Sequence, residues 1–246
     1  MIRKYPTGIF ILITIFLSGC TYLNRQNKPV IYQYSTSYAF TSGSYDGRLS
    51  VGELKGHGNF GIGTFNGIDG ELILIDGACY QAKPGGGINR ASDKLEVPFA
   101  VVDFFSPSTE AVHYDSLNNY TELKEYLDSL IPDKNSIFAI KIEGVFASVK
   151  VRSFMKQDKP YQPFSKVAKT QAVSGFADIK GILVGFYFPA YMKRLNFSGY
   201  HFHFISRDKN SGGHLLDCSL SQGIVRIQKM GNFFMALPDN TDRRGK

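Results

Sequence analysis

Apolar residues in this chain fall into short runs of Ile, Val, Phe and Tyr that glycine interrupts, and helical periodicity is scarce. That pattern predicts mostly strands with a few helices, a β-rich α/β (α+β-like) chain. Pro98 to Phe105 reads as a buried strand. In Thr121 to Leu130 the apolar positions Leu123, Tyr126, Leu127 and Leu130 follow the i, i+3, i+4, i+7 spacing of a helix face, and Pro132 stops it. Ser50-Val51-Gly52-Glu53 has the form of a capping box, opening a short helix that ends near Gly56. Ser136 to Ile142 and Val145 to Arg152 read as two strands turned at Glu143-Gly144, with Val145, Ala147, Val149 and Val151 on the apolar face. Thr170 to Gly175 reads as a loop before a strong strand, Gly181 to Phe188, that Pro189 ends. Gly213 to Cys218 and Gly223 to Gln228 read as two further strands.

Between Gly61 and Gly77 lie two turn dipeptides, Asn66-Gly67 and Asp69-Gly70. A two-residue turn at either one puts Thr64 and Glu71 on the same face of the hairpin. Glu71 then either ends a strand in solvent or points into a pocket. Arg152 shares a face with Ser148 and Lys150, and is either an exposed arginine or a bidentate clamp for a carboxylate, a task that suits its planar guanidinium.

The densest chemistry lies in Gly199-Tyr200-His201-Phe202-His203-Phe204. Alternation along a strand points His201 and His203 the same way, roughly 7 Å apart, with Phe202 and Phe204 behind them. The run Arg207 to Gly213 cannot continue a strand and reads as a hairpin loop, which returns His214 beside the pair. An H-x-H alone fits an ordinary strand. Three convergent imidazoles also fit a catalytic zinc or similar divalent ion, which keeps one position open. His57, between two glycines, and His113, after a loop rich in Pro and Ser, read as solvated.

Composition places these elements in an exported chain. Arg3 and Lys4 precede an apolar run, Gly8 to Leu17, which is too short to span a bilayer and fits a signal-peptide core. The run ends in Leu17-Ser18-Gly19-Cys20, which resembles a bacterial lipobox, so residues 1–19 read as a leader and 20–34 as a lipidated cysteine and tether. Loss of Arg3 and Lys4 lowers the net charge from +7 to +5. With no basic stripe interleaved with stacking aromatics, nucleic acid is excluded as the expected partner. Cys79 and Cys218 could pair or remain two buried thiols. The 43% hydrophobic content is enough for a full core. It is divided here into residues 35–160 and 161–238, followed by a polar tail, 239–246.

Several motifs in order resemble the α-acetolactate decarboxylase family: Gly61-Ile-Gly-Thr-Phe-Asn-Gly-Ile-Asp-Gly-Glu-Leu-Ile, the upstream Gly47-x-x-Ser-Val-Gly-Glu-Leu-Lys-x-His-Gly, Pro98-Phe-Ala-Val-Val, Val149-Lys-Val-Arg-Ser and the three histidines. The resemblance runs from about Ser35 to Leu237. It implies a mixed N-terminal sheet plus a C-terminal antiparallel sheet, usually in a homodimer, and conversion of (S)-2-acetolactate to (R)-acetoin and CO2. It further implies Zn2+ on His201, His203 and His214, with Thr64, Glu71 and Arg152 lining the substrate pocket. The family carries another active-site glutamate near its C-terminus; this chain has no glutamate after Glu143, and Asp239 and Asp242 are the nearest carboxylates to that place. The alternative class is a lipid-anchored binding protein for a small acid that keeps the pocket without turnover.

Overall fold

A computed structural model describes residues 28–106 and 111–238. The leader, Cys20, and Asp239 and Asp242 in the tail lie outside the described residues. In chain order the first part holds β1 (Val30–Tyr34), α1 (Ser37–Thr41), β2 (Leu49–Ser50), α2 (Val51–Lys55), β3 (Phe60–Thr64), β4 (Glu71–Ile75), β5 (Ala78–Ala82), β6 (Ile88–Arg90), β7 (Glu96–Val97) and β8 (Phe99–Asp103). There follow β9 (Ala111–Tyr114), α3 (Tyr120–Leu130), β10 (Phe138–Ser153), α4 (Phe164–Val167), β11 (Ala172–Phe188), β12 (Gly199–Ser206), β13 (Gly212–Lys229) and β14 (Asn232–Ala236).

Seven strands form a sheet in the order β14-β1-β8-β3-β4-β5-β6, mixed because β14 runs parallel to β1 while the other pairs are antiparallel. Five strands form an antiparallel sheet, β10-β11-β12-β13-β9, and β10 also pairs with β13, so β10, β11, β12 and β13 close into a ring with β9 at its side. The β-rich, two-sheet architecture is the one anticipated. The sheets do not divide at residue 160, however: β9 and β10 belong to the second sheet and β14 returns to the first.

Period-two alternation sorts each strand's side chains between layers. Ile73 and Ile75 of β4, Val101 of β8, Val184 of β11 and Ile205 of β12 fill the core between the two sheets. Leu72, Leu74 and Val102 face the other way, under Val51 and Leu54 of α2. Phe202 and Phe204 of β12 join Phe146, Val225 and, from α3, Leu123 and Leu127 in a third cluster. Glu71 shares its face with Ile73 and Ile75, and His201 and His203 share theirs with Ile205. The carboxylate and the histidine pair are therefore turned toward the same inter-sheet layer.

Local signals held where a few residues decide the outcome. Ser50 accepts from the Glu53 amide while the Glu53 carboxylate accepts from the Ser50 amide, completing the capping box. The α3 helix starts one residue before the predicted span, with the Asn119 side chain accepting from the Glu122 amide.

Four expectations about turns fail. Neither Asn66-Gly67 nor Asp69-Gly70 makes a two-residue hairpin; Thr64 pairs directly with Glu71 and residues 65–70 form a longer loop around a single 3-10 turn. The Asn66 side chain bonds both Gly47 backbone groups, pinning the loop to a neighbouring segment. Glu143-Gly144 is not a turn either, because β10 runs straight through it. Gly144 is needed there for close approach: a Cβ would lie 2.5 Å from the Gln222 carbonyl and 2.7 Å from the Tyr114 hydroxyl. Likewise β11 absorbs most of the predicted 170–175 loop, and the two predicted strands after Gly212 are one. Register shifts on either side of Phe146 turn Phe146 inward and leave Ala147 exposed, so the assigned apolar face breaks at that point.

Candidate active site

The closed ring of strands assembles the site. His203 pairs with His214 across β12 and β13, and His214 pairs with Arg152 across β13 and β10, so all three side chains share one face in a row. His201 lies two residues before His203 on the same face. Gly213 makes the approach possible: its φ is +154°, and a Cβ there would meet the Arg152 carbonyl at 2.9 Å.

The ligand atoms of the three histidines lie within 4.8 Å of one another. His201 Nε2 and His214 Nδ1 are 3.1 Å apart. His203 Nδ1 lies 2.8 Å from the Leu72 carbonyl of β4, which holds the Nδ1–H tautomer and leaves Nε2 as the free lone pair. That Nε2 is 3.5 Å from Glu71 Oε2. Burial, the largest effect, pushes the His203 pKa down to about 3, with Arg152 adding to the depression and the Leu72 carbonyl opposing it. Burial, then His203 and Arg152, hold His201 well below its ordinary value, and burial, Arg152 and the other two histidines do the same for His214. The imidazoles are therefore neutral near pH 7, and the His203–Glu71 approach is a contact, not an ion pair.

Glu71 is buried, and burial raises its carboxyl to about pKa 7 against the pull of Arg152. Thr64, opposite Glu71 on β3, donates to the Gly70 carbonyl at 2.6 Å and fixes the end of the loop that feeds β4. Arg152 stacks its guanidinium over Phe154 at 4.9 Å and Phe164 at 5.7 Å, and its Nη1 is buried without a hydrogen-bond partner. A buried, unsatisfied cationic donor beside a cavity is a place for a carboxylate.

All six predicted residues line a single cavity of about 290 Å³. That volume lies at the lower end of small-molecule sites and suits a compact acid. The apolar wall had not been anticipated: Phe40, Phe99, Phe154, Phe164 and Phe197 line the same space. Phe154 was within reach of sequence reasoning, two residues beyond Arg152 and immediately after the end of β10. Phe40 and Phe164 come from short helices outside both sheets, and no periodicity points to them. The remaining histidines stay out of the site: His57 is exposed and stacks on Tyr32 at 3.8 Å, and His113 is exposed on β9 rather than in a loop.

The donor set fits a divalent metal. Tetrahedral zinc places its ligand nitrogens roughly 3.3 Å apart, close to the 3.1 Å between His201 and His214. Neutral imidazoles, one oriented by a backbone carbonyl, are the required form.

A sequence profile of the alpha-acetolactate decarboxylase family matches residues 31–245. The chain belongs to that family. Its relatives include the alpha-acetolactate decarboxylase of Methanosarcina mazei, 40% identical over 220 residues that cover 89% of this chain and 76% of the relative. Among solved structures, the alpha-acetolactate decarboxylase of Bacillus subtilis strain 168 superposes with a TM-score of 0.83 at 37% identity, covering 87% of this chain and 91% of that one. A Staphylococcus aureus protein of unknown function, described as similar to alpha-acetolactate decarboxylase, superposes equally well at 30% identity, covering 88% and 94%. The superposition accounts for the two-sheet fold, and the three-histidine cluster lies within it.

Proposed function

We propose that this chain decarboxylates (S)-2-acetolactate to (R)-acetoin and CO2 in the cavity between its two sheets, with zinc on His201, His203 and His214, and that it works as a homodimer. The observation carrying this reading is the meeting, in one small cavity, of three clustered imidazoles, a buried glutamate and an arginine whose Nη1 has no partner. Bound zinc would act as a Lewis acid toward the substrate's oxygens, stabilising the negative charge that develops as CO2 leaves.

The chain's own groups supply the rest. Arg152 holds the carboxylate through its free Nη1 and keeps it aligned for departure. The bond between C1 and C2 breaks, its electron pair forms the enediolate, and a proton must then reach C2. Glu71, with a pKa near 7, is populated in both protonation states at neutral pH and delivers that proton from one face, which sets the hand of acetoin. The phenylalanine wall excludes water and receives the two methyl groups. We also infer export and acylation at Cys20, from the ordered leader motif Leu17-Ser18-Gly19-Cys20.

Incubation with racemic acetolactate tests this function. The expected result is consumption of the S enantiomer with release of (R)-acetoin and equimolar CO2. Binding of acetolactate without release of CO2 would contradict it and leave a binding protein in its place.

A further inference from the structure

Beside the cavity the chain exposes side chains that core packing does not use. Tyr191 is 65% exposed, Tyr38 54% and Leu195 42%. Lys193 and Arg194 are exposed between them and meet no carboxylate at ion-pair distance among the described residues. The group is contiguous: the Arg194 guanidinium lies 4.2 Å over the Tyr38 ring, the Tyr38 amide donates to the Arg194 carbonyl at 3.1 Å, and the Ser37 amide donates to the Leu195 carbonyl at 3.0 Å. Tyr191 donates its hydroxyl to the Asn135 carbonyl at 3.0 Å, which links the patch to the edge where Lys229 neutralises Asp133. At the end of that edge the Gly231 amide donates to the Pro29 carbonyl, so Lys28, the first described residue, lies there too.

Isolated exposed apolar residues need no explanation. Two tyrosines, a leucine and two basic residues on one face are a different case, because tyrosine favours the headgroup layer of a bilayer and Lys and Arg are drawn to anionic lipid. The tether adds a geometric constraint. Residues 21–27 span at most roughly 25 Å when fully extended, so acylation at Cys20 holds the Lys28 edge close to the membrane.

We propose that the face formed by Tyr38, Tyr191, Lys193, Arg194 and Leu195 lies against the headgroups of an anionic bilayer, an inference that rests on the acylation proposed above. The anchor supplies the affinity, since one or two acyl chains outweigh a few surface contacts. The patch supplies orientation, at the high effective concentration that a short tether creates. Phe40 and Phe197, each two residues beyond a patch residue, line the cavity, so the segments that carry the docked face also contribute to the cavity wall.

Chemical footprinting of the acylated protein tests the proposal. It is reconstituted in nanodiscs containing about 30% phosphatidylglycerol, or kept in detergent, and the rates of Lys193 acetylation and Tyr191 iodination are read by mass spectrometry. Lys94, exposed in the turn against α2 on the far side of the seven-stranded sheet, is the internal control. The expected result is at least fivefold slower modification of Lys193 and Tyr191 in nanodiscs, with Lys94 unchanged. In the K193E/R194E protein the protection of Tyr191 should fall at least threefold while acetolactate turnover in detergent stays at the wild-type rate. Equal rates in nanodiscs and detergent would overturn the proposal, as would protection already present in detergent that grows with protein concentration, which would assign the face to a second copy. Cys20 found unmodified by mass spectrometry would remove the anchorage on which the proposal rests. The acetolactate assay would be unaffected by any of these outcomes.

Discussion

The two sheets bring opposite chemistry to the cavity. The seven-stranded sheet contributes Thr64, Glu71 and the Leu72 carbonyl from short strands that are buried along their whole length. The five-stranded sheet contributes Arg152 and the three histidines from long strands closed into a ring. On the first side stands a group that can hold or release a proton; on the second stand groups that can bind a cation or an anion. They are joined by the hydrogen bond from His203 to Leu72, in which the backbone of one sheet orients a side chain of the other. Neither sheet holds a complete site, so its chemistry depends on how the two are docked.

Glu71→Gln removes the proton-handling group and leaves the other sheet untouched. The expected loss in kcat is about 10²- to 10⁴-fold, with metal content unchanged by elemental analysis. A parallel loss of metal would mean that Glu71 belongs to the cation-binding side, and the division would fail. Arg152→Lys probes the other sheet: the charge stays but the forked donor geometry goes, so KM for acetolactate should rise about tenfold with a smaller change in kcat. An unchanged KM would remove the carboxylate from Arg152.

The last prediction reads stability instead of turnover and concerns a polar tie between the sheets away from the cavity. Asp103 of β8 is buried, accepts from Gln228 of β13 at 3.0 Å and has one carboxylate oxygen without a partner. Burial raises its pKa from 3.8 to about 8. The folded state therefore retains this proton where the unfolded chain has lost it. The stabilisation is complete below about pH 4 and is lost as the pH rises through 8. Asp103→Asn should gain Tm relative to the wild type steadily across that window, as read by thermal melts at several pH values. A constant difference would show that Asp103 is ionised in the folded protein.

Much of the site was legible in the sequence because it obeys short-range rules. Strand alternation paired His201 with His203, a seven-residue polar run returned His214, and hairpin parity put Thr64 and Glu71 on one face even though the turn itself was misassigned. Parity survived because the true connection, residues 65–70, has the same even length class as either two-residue turn. What failed was anything decided by packing from a distance. Gly144 looks like a turn residue until Tyr114 and Gln222 are found against it. The bulge at Phe146 depends on β13, more than seventy residues further on. The aromatic wall depends on where two short helices settle. Cys79 and Cys218 were left open by their spacing; both are buried free thiols in separate core clusters.

The most direct test of the central claim is a metal titration of the metal-stripped protein, comparing the wild type with His203→Ala. The account predicts one zinc per wild-type chain, with recovery of acetoin formation tracking occupancy, and no tight zinc in the variant. Full activity in the stripped wild type, or an equally occupied His203→Ala protein, would contradict it.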